Sequence, residues 1–160
     1  MDAVSLSKII IKKCNDKNIP ISITKLHKLL YIVYGTYLII ENKSLFDNDE
    51  DNCPSCFEYG PLFKSVQREY KNGNINFEDK NFEDKNLEDK NLEDKVLPIV
   101  DVVISKFGAY SARALSDWSH RKGSAWDKAE KEDKYRWGNI IKDEYIKDEF
   151  KNIVKLDKNG

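Results

Sequence analysis

Residues 23–40, ITKLHKLLYIVYGTYLII, decide the fold. Ile23, Leu26, Leu30, Val33, Tyr37 and Ile40 succeed one another at alternating intervals of 3 and 4, the stripe of a helix that buries one face. Leu29, Tyr31, Tyr34 and Leu38 widen that stripe beyond half of the cylinder, so a single neighbour cannot cover it. Lys25, His27 and Lys28 interrupt the apolar run at one end and argue against a membrane span. The expectation is an all-α domain, a compact set of helices around a buried central helix at about 23–40. Gly35 lies inside that helix, where glycine costs on the order of 1 kcal/mol relative to alanine. A close helix crossing accounts for it.

Working outward, the 160-residue length suits one domain, spanning 1–160. A charged fraction of 34% is inflated by one segment in the middle, and the net charge of −1 gives no electrostatic case for nucleic acid or anionic lipid. The opening MDAVSLSKIIIKK lacks the basic-then-apolar order of a signal peptide, and Cys14, Cys53 and Cys56 read as reduced thiols, so a cytoplasmic location is expected.

A first helix is expected from Asp2 to about Lys17, capped by Asp2, with Cys14 as a small core residue. Ser22 or Thr24 caps the central helix. In the polar loop from Glu41 to Asn52, Leu45 and Phe46 tuck inward. A short extended piece or hairpin is expected near 46–60, and Pro61 opens a helix bearing Leu62, Phe63, Val66 and Tyr70. Residues 76–95 are four copies of a five-residue unit, NFEDK, NFEDK, NLEDK and NLEDK. A step of five turns each apolar position by about 140° on a helix, so no face forms and a mobile, solvated insertion or a frayed helical extension that buries little is expected, the competing reading being an acidic-hydrophobic docking tract. Helices resume with Pro98 at a start, then at Ser111, at Ser124 and from Asn139 to Val154, with Ile140 and Ile141 in the apolar set of the last.

Cys53-Pro54-Ser55-Cys56 offers half of a tetrahedral zinc site, completed only if Cys14, His27 or His120 converges on it. The preceding acidic run would raise the thiol pKa and oppose a reactive thiolate. His27 reads as a hydrogen-bonded core histidine, and His120 as the cap of a helix C-terminus. No nucleophile with an orienting base, phosphate loop or metalloprotease motif is present, so neither an enzyme nor a cofactor is expected.

Four segments in order resemble the Panacea domain, the SocA-like antitoxin family with phage-associated relatives. They are LHKLLY at 26–31, YGPL at 59–62, LSDWSH at 115–120 with SAWDKA at 124–129, and the closing helix at 141–150. His27 stands where glutamine is usual, and Ala125 where proline is. The resemblance implies an antitoxin that neutralises a partner toxin by direct binding, or by presenting it for proteolysis. It places Leu26, Lys28, Leu29, Tyr31, Gly60, Pro61, His120 and Trp126 at motif positions, as scaffold or partner contact. The competing readings are a phage-encoded inhibitor of a host defence or regulatory protein, and a zinc- or redox-responsive protein acting through Cys53 and Cys56.

Overall fold

A computed structural model of the chain describes residues 1–46, 49–78, 90–132 and 137–159. Along them run α1 (Ala3–Asp16), α2 (Ile23–Glu41), β1 (Pro54–Phe57), β2 (Gly60–Phe63), α3 (Lys64–Lys71), α4 (Lys90–Phe107), α5 (Ala112–Ser119), α6 (Ala125–Glu132) and α7 (Asp143–Asn159). The domain is mostly helical, as expected.

From Lys25 to Gly35 every residue of α2 is buried, because α1, α4, α5, α7 and β2 all pack on it. Asp2 caps α1 through Ser5 N–H, and Ser22, not Thr24, caps α2 through Lys25 N–H. Cys14, Leu45 and Phe46 are buried. The stripe fails at one end, for Ile40 is 55% exposed.

Gly35 marks the expected crossing. A Cβ there would stand 2.4 to 2.6 Å from three atoms of the Phe150 ring on α7. Tyr31 and Trp118 meet that ring edge-on at centroid distances of 5.5 and 6.1 Å, so it has nowhere to move. Gly35→Ala gains helix propensity of about 1 kcal/mol but overpacks the crossing by about 1–3 kcal/mol. The net expectation is a loss of about 1 kcal/mol in urea unfolding, shrinking when Phe150→Leu is combined with it.

Four expectations need correction. Pro61 does not open a helix; it sits in β2, opposite Cys56, and α3 begins at Lys64. The backbone of Cys56 bonds instead with Asn139 O and Gly138 N, at 2.8 and 2.7 Å, so no ladder bond is lost at the proline. That same pairing pulls residues 139–141 out of the expected last helix into an extended run along β1, with Ser55 bridging Ile140, and α7 starts at Asp143. Tyr70, assigned to the buried stripe of α3, is 38% exposed.

Nor does Pro98 start a helix. It lies inside α4, which takes in the last copy of the repeat. Most of the repeat tract, 79–89, falls outside the described residues, but its two ends are anchored. Phe77 packs on the core and against Tyr70 at 5.9 Å, and its carbonyl accepts from Asn15 Nδ2 at 2.9 Å. Leu92 packs on the core and Lys95 pairs with Glu41 at 3.4 Å. The apolar positions of the first and last copies, Phe77 and Leu92, are thus each half-buried against the core.

Candidate functional site

The motif segments converge on one object, the hairpin β1–β2. Its turn, Glu58-Tyr59, is closed by Gly60 at φ +116, a conformation side chains resist. Three elements reach its backbone with side chains. Trp126 Nε1 of α6 donates to Phe57 O at 2.7 Å, and His120 Nε2 meets Glu58 O at 2.8 Å. Ser116 Oγ of α5 donates to Tyr59 O at 2.8 Å, and Lys28 Nζ of α2 donates to Pro61 O at 3.1 Å. His120 Nδ1 also meets Ser116 O at 2.5 Å, and its ring lies against Trp126 at a centroid distance of 4.0 Å. His120 therefore caps α5 as expected, and holds the hairpin besides.

The fit is close. A Cβ on Gly60 would come within 2.6 Å of Ser119 Oγ and 2.7 Å of Lys28 Cε, so glycine is required for space as well as for φ. On the outer side of β2, His27 Nδ1 accepts from Phe63 N–H at 3.2 Å while Nε2 faces Gln67 Oε1 at 3.0 Å. Neutral imidazole serves both partners, donating from Nε2 and accepting at Nδ1. With 138–141 along β1 and α2 side chains along β2, the hairpin is covered on both sides.

What remains outside is the tip. Tyr59 is 72% exposed and Glu58 is exposed; Trp137, stacked on Trp126 at 6.3 Å, is 47% exposed. Between the tip and the start of α2 lies a cleft of about 340 Å³, walled by Thr24, His27, Lys28, Tyr59, Gly60 and Trp137. A wider one of about 620 Å³ surrounds Lys25, whose Nζ is held by Gly108 O at 2.6 Å, away from the hairpin.

Burial sets the electrostatics. Lys28 is 3% exposed and desolvation alone pushes its ammonium down to about 8. Desolvation lowers His27 to about 4, against a smaller opposing effect of Gln67. The unfolded state then binds the extra proton between pH about 4 and the ordinary 6.5, so stability is full above that window and falls as pH drops through it. Unfolding by urea should show this as a slope of up to about 1.4 kcal/mol per pH unit. His27→Gln, which preserves the geometry of a donor and an acceptor, should flatten it.

The other motif residues on α2 are buried. Leu26 and Leu29 are fully buried, and Tyr31 OH donates to Glu149 Oε1 at 2.5 Å. Glu149 also takes Arg121 Nη2 at 2.7 Å, tying α2 and α7 to the α5–α6 turn.

Cys53 and Cys56 stand apart from His27, His120 and Cys14. Among the described residues no three His, Cys, Asp or Glu side chains form a metal-holding group. Three residues apart in extended chain, the two cysteines fall on opposite faces. Cys56 is buried with Sγ 3.9 Å from Trp126 O, and burial pushes its thiol up to about 12. Burial also raises Cys53, ahead of Asp143 and the acidic Asp49 and Glu50, so the acidic run acts in the expected direction but is not the main cause. Among the described residues no helix is long and apolar enough to cross a membrane.

Sequence reasoning missed Tyr59 and Trp137 as surface aromatics, and Ser116 as a hairpin clamp. Tyr59 beside Gly60-Pro61 was a usable turn signal; nothing local marks Trp137.

A family model described as antitoxin SocA-like, Panacea domain, matches residues 26–127. That span holds each of the four clamping side chains and the whole hairpin, and ends before the closing helix. No curated protein and no solved structure matches the chain.

Proposed function

This chain belongs to the antitoxin SocA-like, Panacea domain family, and from that premise we propose that it neutralises a partner toxin by direct contact through the tip of the clamped hairpin. The observation that carries this reading is the outcome of the clamp: backbone fixed by four side chains, with Tyr59 and Glu58 left facing solvent beside Trp137. Aromatic side chains on a rigid support lose little entropy on binding, which suits them as contact anchors. The protein works by contact and not by catalysis, in the cytoplasm, where its three free cysteines stay reduced. Presentation of the toxin for proteolysis is a second route to the same end and uses the same contact.

The test is to co-express the chain with the product of its neighbouring gene. Growth arrest by that product alone, relieved by the chain and accompanied by a stoichiometric complex, is the expected result. Tyr59→Ala should weaken the relief while moving stability by no more than about 0.5 kcal/mol, because the side chain is exposed. Relief that persists undiminished in Tyr59→Ala with Trp137→Ala would place the contact elsewhere. A host defence or regulatory protein captured in the toxin's stead would make the chain an inhibitor of that protein.

A further inference from the structure

We propose that the cleft beside the hairpin receives an acidic side chain of the protein partner, its carboxylate seated against the Lys28 ammonium between Tyr59 and Trp137. The proposal rests on the partner-binding reading above and adds the chemistry of what is bound.

Among the described residues Lys28 Nζ has one hydrogen-bond partner, the Pro61 carbonyl, although an ammonium carries three donors. Among the described residues no carboxylate lies within ion-pair distance of it. A buried cation without a counter-charge is costly, and a carbonyl dipole offsets only part of that cost. Glu149 is likewise buried, but it has Arg121. Lys25 also rests on a carbonyl, yet its cleft carries no pair of exposed aromatics. The cleft lining combines buried Lys28, half-buried Thr24 and the exposed rings of Tyr59 and Trp137, with Glu58 the one carboxylate among them. An incoming carboxylate would complete the ion pair, and the rings would exclude water from it, which strengthens a charge-assisted bond. The volume suits one or two side chains rather than a folded element.

The probe is a blocked pentapeptide, Ala-Ala-Glu-Leu-Ala, against its glutamine counterpart, titrated into the full chain and followed by amide chemical shifts. The glutamate peptide should give saturable shifts at Lys28, Tyr59 and Gly60, with the glutamine peptide weaker by about tenfold or more, as expected for loss of a charged partner. Lys28→Met should abolish the preference while leaving the core resonances in place. Equal binding of the two peptides, an undiminished preference in Lys28→Met, or no saturable shift from either would overturn the proposal. Should Lys28→Met not fold, the parent supplies the answer through pH. Affinity should fall about tenfold per pH unit above about 8, where free Lys28 loses its proton, and a flat profile overturns the proposal. The other titratable groups facing the cleft are His27, kept neutral by burial, and Glu58 and Tyr59 at the rim. The two readings fail separately. Glutamate-specific binding with no toxin relieved leaves the cleft and removes the antitoxin role; toxin relief undiminished in Lys28→Met does the reverse.

Discussion

Arg121→Ala is expected to cost about 3–5 kcal/mol at neutral pH, the scale for leaving a buried charge without its partner. The asymmetry of the pair sets this size. Arg121 is 43% exposed and would be hydrated if Glu149 were removed, but Glu149 is 3% exposed and cannot be hydrated if Arg121 is removed. Tyr31 OH at 2.5 Å and the more distant Ala125 N–H at 3.5 Å would then be its only support. Arg121 also lies over the Trp118 ring at 4.3 Å, so packing is lost with the charge. The variant should carry a pH signature. Burial already raises the Glu149 pKa above its ordinary value, and Arg121 is among the groups that hold it down. Without the guanidinium it rises further, and a proton taken up by the folded state removes the orphan charge. The deficit should therefore shrink as pH falls through the carboxylate range and be largest above it. Urea unfolding of parent and variant at neutral and mildly acid pH checks this, and a deficit independent of pH would assign the loss to packing.

Leu30→Ala should cost about 2–5 kcal/mol, the range for deleting a large side chain from a filled core. Leu30 is fully buried at the middle of α2, where helices close around it on several sides and cannot collapse into the gap. Ile40→Ala gives the matching comparison. It belongs to the same sequence stripe but is 55% exposed, so its loss should be near 0.5 kcal/mol or less. Denaturant midpoints for the pair would separate burial from spacing. Equal losses would mean that α2 is not enclosed as described.

The difference between Leu30 and Ile40 also shows what the sequence can convey. Spacing of 3 and 4 identifies a helix and its apolar side, and that much of α2 was legible, with its cap and the glycine crossing. Where the covering helices stop is a tertiary fact, and spacing carries no trace of it. Lys25 and Lys28 teach the converse. Read as polar interruptions, they are buried, because the carbonyls of Gly108 and Pro61 are brought to them from far along the chain, whereas His27 is the hydrogen-bonded core histidine expected. Pro61 was misplaced for a similar reason. A proline before a helical pattern fits a first turn, and only the pairing of Cys56 with 138–139 reveals that β1 needs nothing from it. The candidate site was legible as a set of motif positions and a short hairpin near 46–60, which the structure places at 54–63, but its clamps were not, since they come from α2, α5 and α6.

Those clamps have a further consequence. Each grips a carbonyl oxygen, a group that every amino acid supplies whatever its side chain. Gly60 takes the left-handed position of the turn, while neither tip residue has a positive φ. The tip is thus a socket for interchangeable heads: its two residues can be rewritten in composition without altering the path of the chain beneath. Replacing either residue alone should therefore move stability by no more than about 0.5 kcal/mol.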